Sequence, residues 1–192
     1  MNLGPSLVLS IFRHGEKTPD NFLMLSTDPY KNQTFHPYGP SALTNEGKRT
    51  MYTLGRSIRK TYNAFLGDIY TPDILTAWAS SIERCHTSLQ LVLAALFPPK
   101  GVLIWEKGFN WQPISYNSLP KNLDDMFSGI LFEDYKKLYN EYCFTGNGKV
   151  TYKEAQPVLA YAEKHTNTTF KTFLQMFFLQ TVLSGEEVYG LE

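Results

Sequence analysis

The residues best suited to chemistry lie in two short polar segments, Arg13–Lys17 and Ser80–Arg84. The first segment holds a histidine among cations, and the second ends on an arginine. Guanidinium and ammonium groups bind oxyanions through charge-assisted hydrogen bonds. The two segments together therefore predict a site for a dianion such as phosphate, with Arg13, Lys17 and Arg84 as its ligands.

His14 is the imidazole among these cations, and a neutral imidazole nitrogen can attack phosphorus to give a phosphohistidine that water then hydrolyses. Neighbouring positive charges disfavour the imidazolium, so we expect His14 to stay neutral and nucleophilic at acidic pH. An acidic optimum is the resulting hypothesis. The other histidines, His36, His86 and His165, lack such neighbours and are predicted to be structural or surface residues, although His36 lies in a loop that could edge the pocket.

The elements that must position these residues are predicted from the hydrophobic pattern. Three short apolar runs are typical of buried strands, and they are Leu7–Phe12, Ile74–Ala79 and Val102–Trp105. Helical stripes begin after Thr44 and after Ser81, and amides at the second helix start would add phosphate donors. This β-α-β-α-β order predicts an α/β fold with a largely parallel sheet, whose strand ends bring the two polar segments together.

Two regions are predicted along the chain. Residues 1–110 are expected to form an α/β core that carries the site, and residues 111–192 a mainly helical cap or insertion. The predicted helical segments of the cap are roughly Phe132–Tyr142, Tyr152–Lys164 and Phe170–Leu183, with Gly146, Gly148 and Gly185 as helix stops.

Composition excludes several classes of protein. The formal net charge is zero, which does not favour a nucleic-acid partner, and no apolar stretch is long enough for a transmembrane helix. The two cysteines, Cys85 and Cys143, are too few for a zinc site, and no metal or other cofactor is predicted. The basic excess of the N-terminal part would favour a small anion, but its cluster on the first helix is predicted to be a solvated face; it comprises Lys48, Arg49, Arg56, Arg59 and Lys60.

The segment Arg13–Pro19 resembles the Arg-His-Gly-x-Arg-x-Pro signature of the histidine acid phosphatases (histidine phosphatase superfamily, branch 2). Further similarity to the prostatic, lysosomal and venom-type acid phosphatases of arthropods lies in Asp28–Tyr30, Ala42–Gly47, Leu93–Pro99 and Trp111–Pro113. The similarity is strong to about Trp111 and diffuse afterwards.

The resemblance implies a three-layer α/β/α sandwich with a helical cap, His14 as nucleophile, and Arg13, Lys17 and Arg84 as phosphate ligands. Lys17 stands where the family usually has arginine, so a single point charge replaces a bidentate fork. The resemblance also implies hydrolysis of small-molecule or protein phosphate monoesters, a secreted or lysosomal glycoprotein, and a possible homodimer. No signal peptide is visible in Met1–Ser10, and two N-glycosylation sequons begin at Asn32 and Asn167.

One feature departs from the family pattern. The family places a His-Asp pair late in the chain, where the aspartate protonates the leaving oxygen, and no His-Asp dipeptide occurs here. We therefore expect an incomplete chain or short isoform that lacks the C-terminal part of the family fold. A catalytically weak, phosphatase-like anion-binding module is the alternative, and a phosphoglycerate-mutase-like transferase fits the Lys17-Thr18-Pro19 continuation less well.

Overall fold

A computed structural model of the chain describes residues 7–128 and 132–191. These residues form six α-helices, which are α1 (Asn45–Leu66), α2 (Glu83–Leu96), α3 (Glu133–Phe144), α4 (Gly146–Glu154), α5 (Gln156–Thr166) and α6 (Phe173–Tyr189). Short 3₁₀ helices at Pro72–Ile74 and Gly101–Leu103 precede and follow α2.

The predicted α/β/α sandwich with a largely parallel sheet is wrong. Within the described ranges 7–128 and 132–191 no sheet forms, and strand pairing is limited to two isolated bridges. One bridge is antiparallel and joins Lys17 to Leu43, and the other is parallel and joins Trp78 to Asn117. The structure is mainly helical.

The three predicted strands fail because a strand requires a hydrogen-bonded neighbour, which an apolar run does not specify. Leu7, Leu9 and Ile11 are 81%, 80% and 84% exposed, so this alternate face of the first run packs on nothing among the described residues. The other two runs each overlap one of the 3₁₀ helices. Among the three runs only Ala77 and Ala79, both in the second, are buried, so the prediction of buried strands was wrong for the first and third runs.

The chain divides into two compact units. The first unit contains the described residues up to Lys17 together with Leu43–Phe127, and the second contains Thr18–Ala42 together with the described residues from Ser128 onward. The division into core and cap after residue 110 stays a prediction.

The first unit is built on the packing of α1 against α2. Gly55 permits this close approach, because a Cβ there would overlap the backbone oxygen of Val92. A small core beside α2 contains Ala77, Ala79, Leu89 and Leu93, and Phe12 packs against it. Phe12 therefore anchors the extended segment immediately before Arg13 and His14.

The second unit packs the loop Thr18–Ala42 on α6. Met24 and Phe35 from the loop form a buried cluster with Val182. The Tyr189 ring lies edge-on to Phe35 with centroids 5.3 Å apart, and its hydroxyl donates to the backbone oxygen of His36 over 3.1 Å. This loop, which the sequence analysis placed beside the predicted pocket, thus has an apolar core of its own.

The helical predictions agree better with the structure than the strand predictions. The stripe after Thr44 is α1, with Thr44 as its N-cap, and the next stripe is α2. The first glycine stop is partly right, because α3 ends at Phe144 just before Gly146, although Gly146 also begins α4. The other two were wrong, because Gly148 lies within α4 and Gly185 within α6. Helical residues on both sides override the weak intrinsic preference of a single glycine.

Candidate active site

The segment containing His14 is fixed to the start of α1. The Thr44 amide donates to the backbone oxygen of Glu16 over 3.1 Å, beside the bridge between Lys17 and Leu43. The Thr44 hydroxyl donates to Glu16 Oε1 over 2.5 Å and accepts from the Gly47 amide over 3.0 Å. Thr44 therefore caps the N-terminus of α1 and also holds the loop that contains His14.

Two glycines let this loop lie directly on the helix. A Cβ on Gly15 would lie 2.5 Å from the Gly47 backbone oxygen, and a Cβ on Gly47 would overlap the backbone oxygen of Glu16. From the other side, the buried Gly15 amide donates to Ser88 Oγ on α2 over 3.2 Å. The loop is thus held between α1 and α2, which take the positioning role that the sequence analysis gave to the sheet.

His14 has a defined tautomer when its ring is neutral. Its Nδ1 lies 2.8 Å from the Gly15 backbone oxygen. A carbonyl oxygen can only accept a hydrogen bond, so Nδ1 carries the proton and Nε2 keeps its lone pair. Nε2 is therefore the ring nitrogen that could accept a proton or act as a base.

The surroundings of His14 favour the neutral ring. Burial lowers the pKa of His14 below its ordinary value, and the hydrogen bond to Gly15 opposes that shift. The positive charges of Arg84, Arg13 and Lys17 lower the pKa further. All three predicted phosphate ligands therefore lie close enough to His14 to act on its charge.

Arg84 comes from the first turn of α2, which begins at Glu83. The predicted helix start at Ser80–Ser81 lies two residues too early, and the N-cap Ile82 makes no side-chain capping hydrogen bond. The N-terminal amides of α2 and the Arg84 guanidinium thus belong to the same turn, in the same unit as His14. Both kinds of group favour an anion.

Residues 7–189 match the family model of the histidine phosphatase superfamily (branch 2). The chain belongs to this family. The match confirms the resemblance inferred from the signature segment Arg13–Pro19.

Several acid phosphatases are similar to this histidine phosphatase chain. Venom acid phosphatase Acph-1 of Apis mellifera is 36% identical over 185 residues, covering 94% of this chain and 47% of the relative. Prostatic acid phosphatase of Homo sapiens is 38% identical over 120 residues, or 62% and 30% of the two chains. Lysosomal acid phosphatase of Xenopus laevis is 28% identical over 179 residues, or 92% and 37%. The chain spans about half the length of the first relative and less of the other two.

The remaining histidines have other surroundings. His86 Nδ1 lies 3.1 Å from the Tyr116 hydroxyl, and the two rings meet edge-on with centroids 5.5 Å apart. His36 and His165 belong to the second unit, where the His165 ring lies 4.3 Å from that of Tyr161. The structure gives these three histidines contacts with aromatic residues or backbone rather than with a group of cations.

Ser88 is a site residue that the sequence analysis missed. It is 1% exposed and accepts from Gly15 across the fold. Its position four residues after Arg84 was the available signal, since residues at this spacing share a helix face. A serine inside a helical stripe is nevertheless ordinary, so the signal becomes meaningful only with the tertiary contact.

No group of three or more potential metal ligands occurs among residues 7–128 and 132–191. Within the same ranges no helix is long and apolar enough to cross a lipid bilayer.

Proposed function

We propose that this chain carries the nucleophile and phosphate-binding groups of an acid phosphatase that hydrolyses phosphate monoesters through a phosphohistidine on His14. The observation that carries the proposal is the His14–Gly15 hydrogen bond, which leaves Nε2 unprotonated within a group of three cations. Family membership and the names of the relatives support the same reaction class.

In the proposed first step, the Nε2 lone pair attacks phosphorus. The N–P bond forms, the ester P–O bond breaks, and the leaving oxygen takes the bonding electrons and then a proton. In the second step water attacks phosphorus, the N–P bond breaks, and inorganic phosphate leaves while Nε2 regains its lone pair. The Gly15 carbonyl stabilises the positive charge that the ring gains in the intermediate.

Arg13, Lys17 and Arg84 are proposed to bind the non-bridging phosphoryl oxygens. Their charges offset the negative charge of the phosphate and of the transition state, so this chemistry uses no metal ion or organic cofactor. Lys17 is 8% exposed and lies at the bridge to Leu43, which limits the movement of its backbone. A fixed backbone compensates partly for the single-point contact of an ammonium group.

The physiological substrate is proposed to be a small-molecule or protein phosphate monoester, encountered in a secretory or lysosomal compartment. The relatives in venom, prostate and lysosome support this location by their names. Acidic surroundings also suit a histidine whose pKa is lowered, because the ring then stays neutral where an ordinary histidine protonates.

The test is detection of the phosphohistidine. The chain is mixed with p-nitrophenyl phosphate, quenched in alkali and digested, and the peptides are analysed by mass spectrometry. We expect phosphate on the His14 peptide, and none in His14→Asn. His165→Asn is the matched control and should retain it. Phosphate binding without any phosphohistidine would contradict the proposal and support the anion-binding module instead.

A further inference from the structure

A second group of cations lies on α1, away from His14. A cavity of about 280 Å³ opens beside this helix, and its polar lining comprises Tyr52, Arg56, Arg59, Lys60, Asn63 and Asn110. The α1 residues of this set recur at spacings of three and four, so they share one face of the helix. The sequence predicts a solvated face here, but these side chains line a concave surface.

The positive charge of this cavity is not balanced by its lining, which contains no acidic residue. Among residues 7–128 and 132–191, Arg56 and Lys60 form no ion pair. Asp68 interacts with Arg59 through its charge, but its carboxylate forms its ion pair with Lys100, at 3.0 Å.

Arg59 is held in place within this cavity. Its guanidinium donates to the Gly67 backbone oxygen and lies 6.0 Å from the centroid of the Phe97 ring. A fixed cation next to Arg56 and Lys60 produces repulsion that a bound anion would relieve. Asn63 and Asn110 add amide donors that suit oxyanions as well.

We propose that this cavity is a second anion site, which binds a small ligand carrying several phosphate or sulfate groups. Arginine provides a fork for one oxyanion, lysine a point charge for another, and Ala95 and Pro98 contact the ligand between them. The volume is close to the lower end of small-molecule pockets, about 300 Å³.

The second site is separate from the His14 loop. That loop contacts α1 at Gly47, and Arg56 follows nine residues later, which is roughly 14 Å along the helix axis. The inference therefore does not depend on the proposed reaction. It predicts a ligand that binds whether or not His14 is a nucleophile.

The experiment follows the reactivity of the Lys60 amine in the 192-residue chain. Acetylation of Lys60 by an amine-reactive ester is measured by mass spectrometry against increasing inorganic tripolyphosphate, with Lys107 as the unprotected reference. We expect Lys60 to be protected, and equally so in His14→Asn. A parallel titration with sucrose octasulfate shows whether phosphate or sulfate is bound more tightly.

The variants separate a built site from general charge attraction. Arg56→Gln should move the protection curve to roughly tenfold to hundredfold higher tripolyphosphate, because a charge-assisted contact is lost. Arg49→Gln removes one positive charge from the same helix at a position outside the cavity. It should move the protection curve by less than about fivefold. Equal shifts in the two variants, or no protection by either anion, would overturn the proposal.

Discussion

The backbone amide of Gly15 donates a hydrogen bond to the hydroxyl oxygen of Ser88, 73 residues further along the chain. This contact joins the His14 loop to α2, the helix that also supplies Arg84. Because both partners are buried, the loop position depends on a polar contact that water does not replace.

Replacing Ser88 by alanine is expected to destabilise the first unit by about 1–3 kcal/mol, since the buried Gly15 amide loses its acceptor. Activity should fall as well, because His14 is next to the displaced amide. Urea unfolding and phosphatase assays measure the two effects. The control is the half-buried neighbour Thr87→Ala, whose hydroxyl donates to the Glu83 backbone oxygen of its own helix and whose loss should cost less than about 0.5 kcal/mol. Equal stability of the two variants would show that the Gly15 contact is unimportant.

The titration of His14 is expected to occur below that of an ordinary histidine. Burial is the largest cause of its lowered pKa, and Arg84 is the largest of the three charges acting in the same direction. Arg84→Gln should therefore raise the pKa of His14, which is measured from its ring proton resonances by NMR. His86 provides the internal reference. A His14 titration unchanged by the substitution would place Arg84 too far away to act.

The lowered pKa of His14 also predicts the direction in which the stability of the protein changes with pH. The fold favours the neutral ring, so His14 contributes fully to the free energy of unfolding above pH 6.5, the ordinary pKa of histidine. This contribution is lost as the pH falls through the lowered pKa of His14. We expect His14→Asn to remove this part of the acid destabilisation. Thermal unfolding of both proteins across acidic pH measures it, and parallel pH profiles would contradict the expectation.

Two helical glycines should respond oppositely to alanine. A Cβ on Gly47 would overlap the Glu16 backbone oxygen, so Gly47→Ala is expected to cost about 1–3 kcal/mol and to displace the segment that follows His14. A Cβ on Gly185 in α6 would make only ordinary contact with Pro19 at 3.4 Å, so Gly185→Ala should stabilise by about 0.5–1 kcal/mol. Thermal unfolding gives the signs, and a tolerated Gly47→Ala would show that the loop can move away.

A carboxyl pair in the second unit predicts a further pH dependence. Glu186 is buried and forms a side-chain hydrogen bond with Asp28, and burial followed by the Asp28 charge raises the pKa of Glu186 to about 7. The fold thus favours protonated Glu186, so Glu186 contributes fully to the free energy of unfolding below about pH 4.5. This contribution is lost as the pH rises through about 7.

Glu186→Gln should remove this loss, because the amide keeps a donor for Asp28 and does not ionise. The variant should therefore be more stable than the parent near neutral pH and differ little in acid. Thermal unfolding over this range measures the difference, with the exposed neighbour Glu187→Gln as control. If the parent protein is equally stable at acidic and neutral pH relative to Glu186→Gln, Glu186 does not have this effect on stability.

The helices were predictable from sequence because their apolar spacing is local, as the stripe of α1 between Met51 and Ile58 illustrates. Strand formation depends on a partner for the backbone groups, which the apolar side chains of Leu7, Leu9 and Ile11 do not specify. These three side chains are exposed. The resemblance to the family carried an expectation of a sheet that the described residues do not form.

The candidate site was predictable to the extent that its residues are adjacent in sequence. Arg13, His14 and Lys17 lie within five consecutive residues, whereas Arg84 was added from its residue type, an expected sheet that the described residues do not form, and the resemblance. Ser88 required the tertiary contact itself, because a helical serine carries no signal of its partner.

The rate of ester cleavage by this chain should depend strongly on the leaving group. The acid nearest to His14 in sequence, Glu16, accepts a hydrogen bond from the Thr44 hydroxyl, and the sequence has no His-Asp dipeptide. A positioned general acid contributes about 10²–10⁴-fold to rate. Without one, esters with good leaving groups such as p-nitrophenolate should react weakly and alkyl phosphates hardly at all. The measurement is kcat/KM for a series of aryl and alkyl phosphates, which reports P–O cleavage even when dephosphorylation limits kcat. A steep decline with rising leaving-group pKa is expected, while a flat series that His14→Asn abolishes would show that another residue of this chain protonates the leaving oxygen.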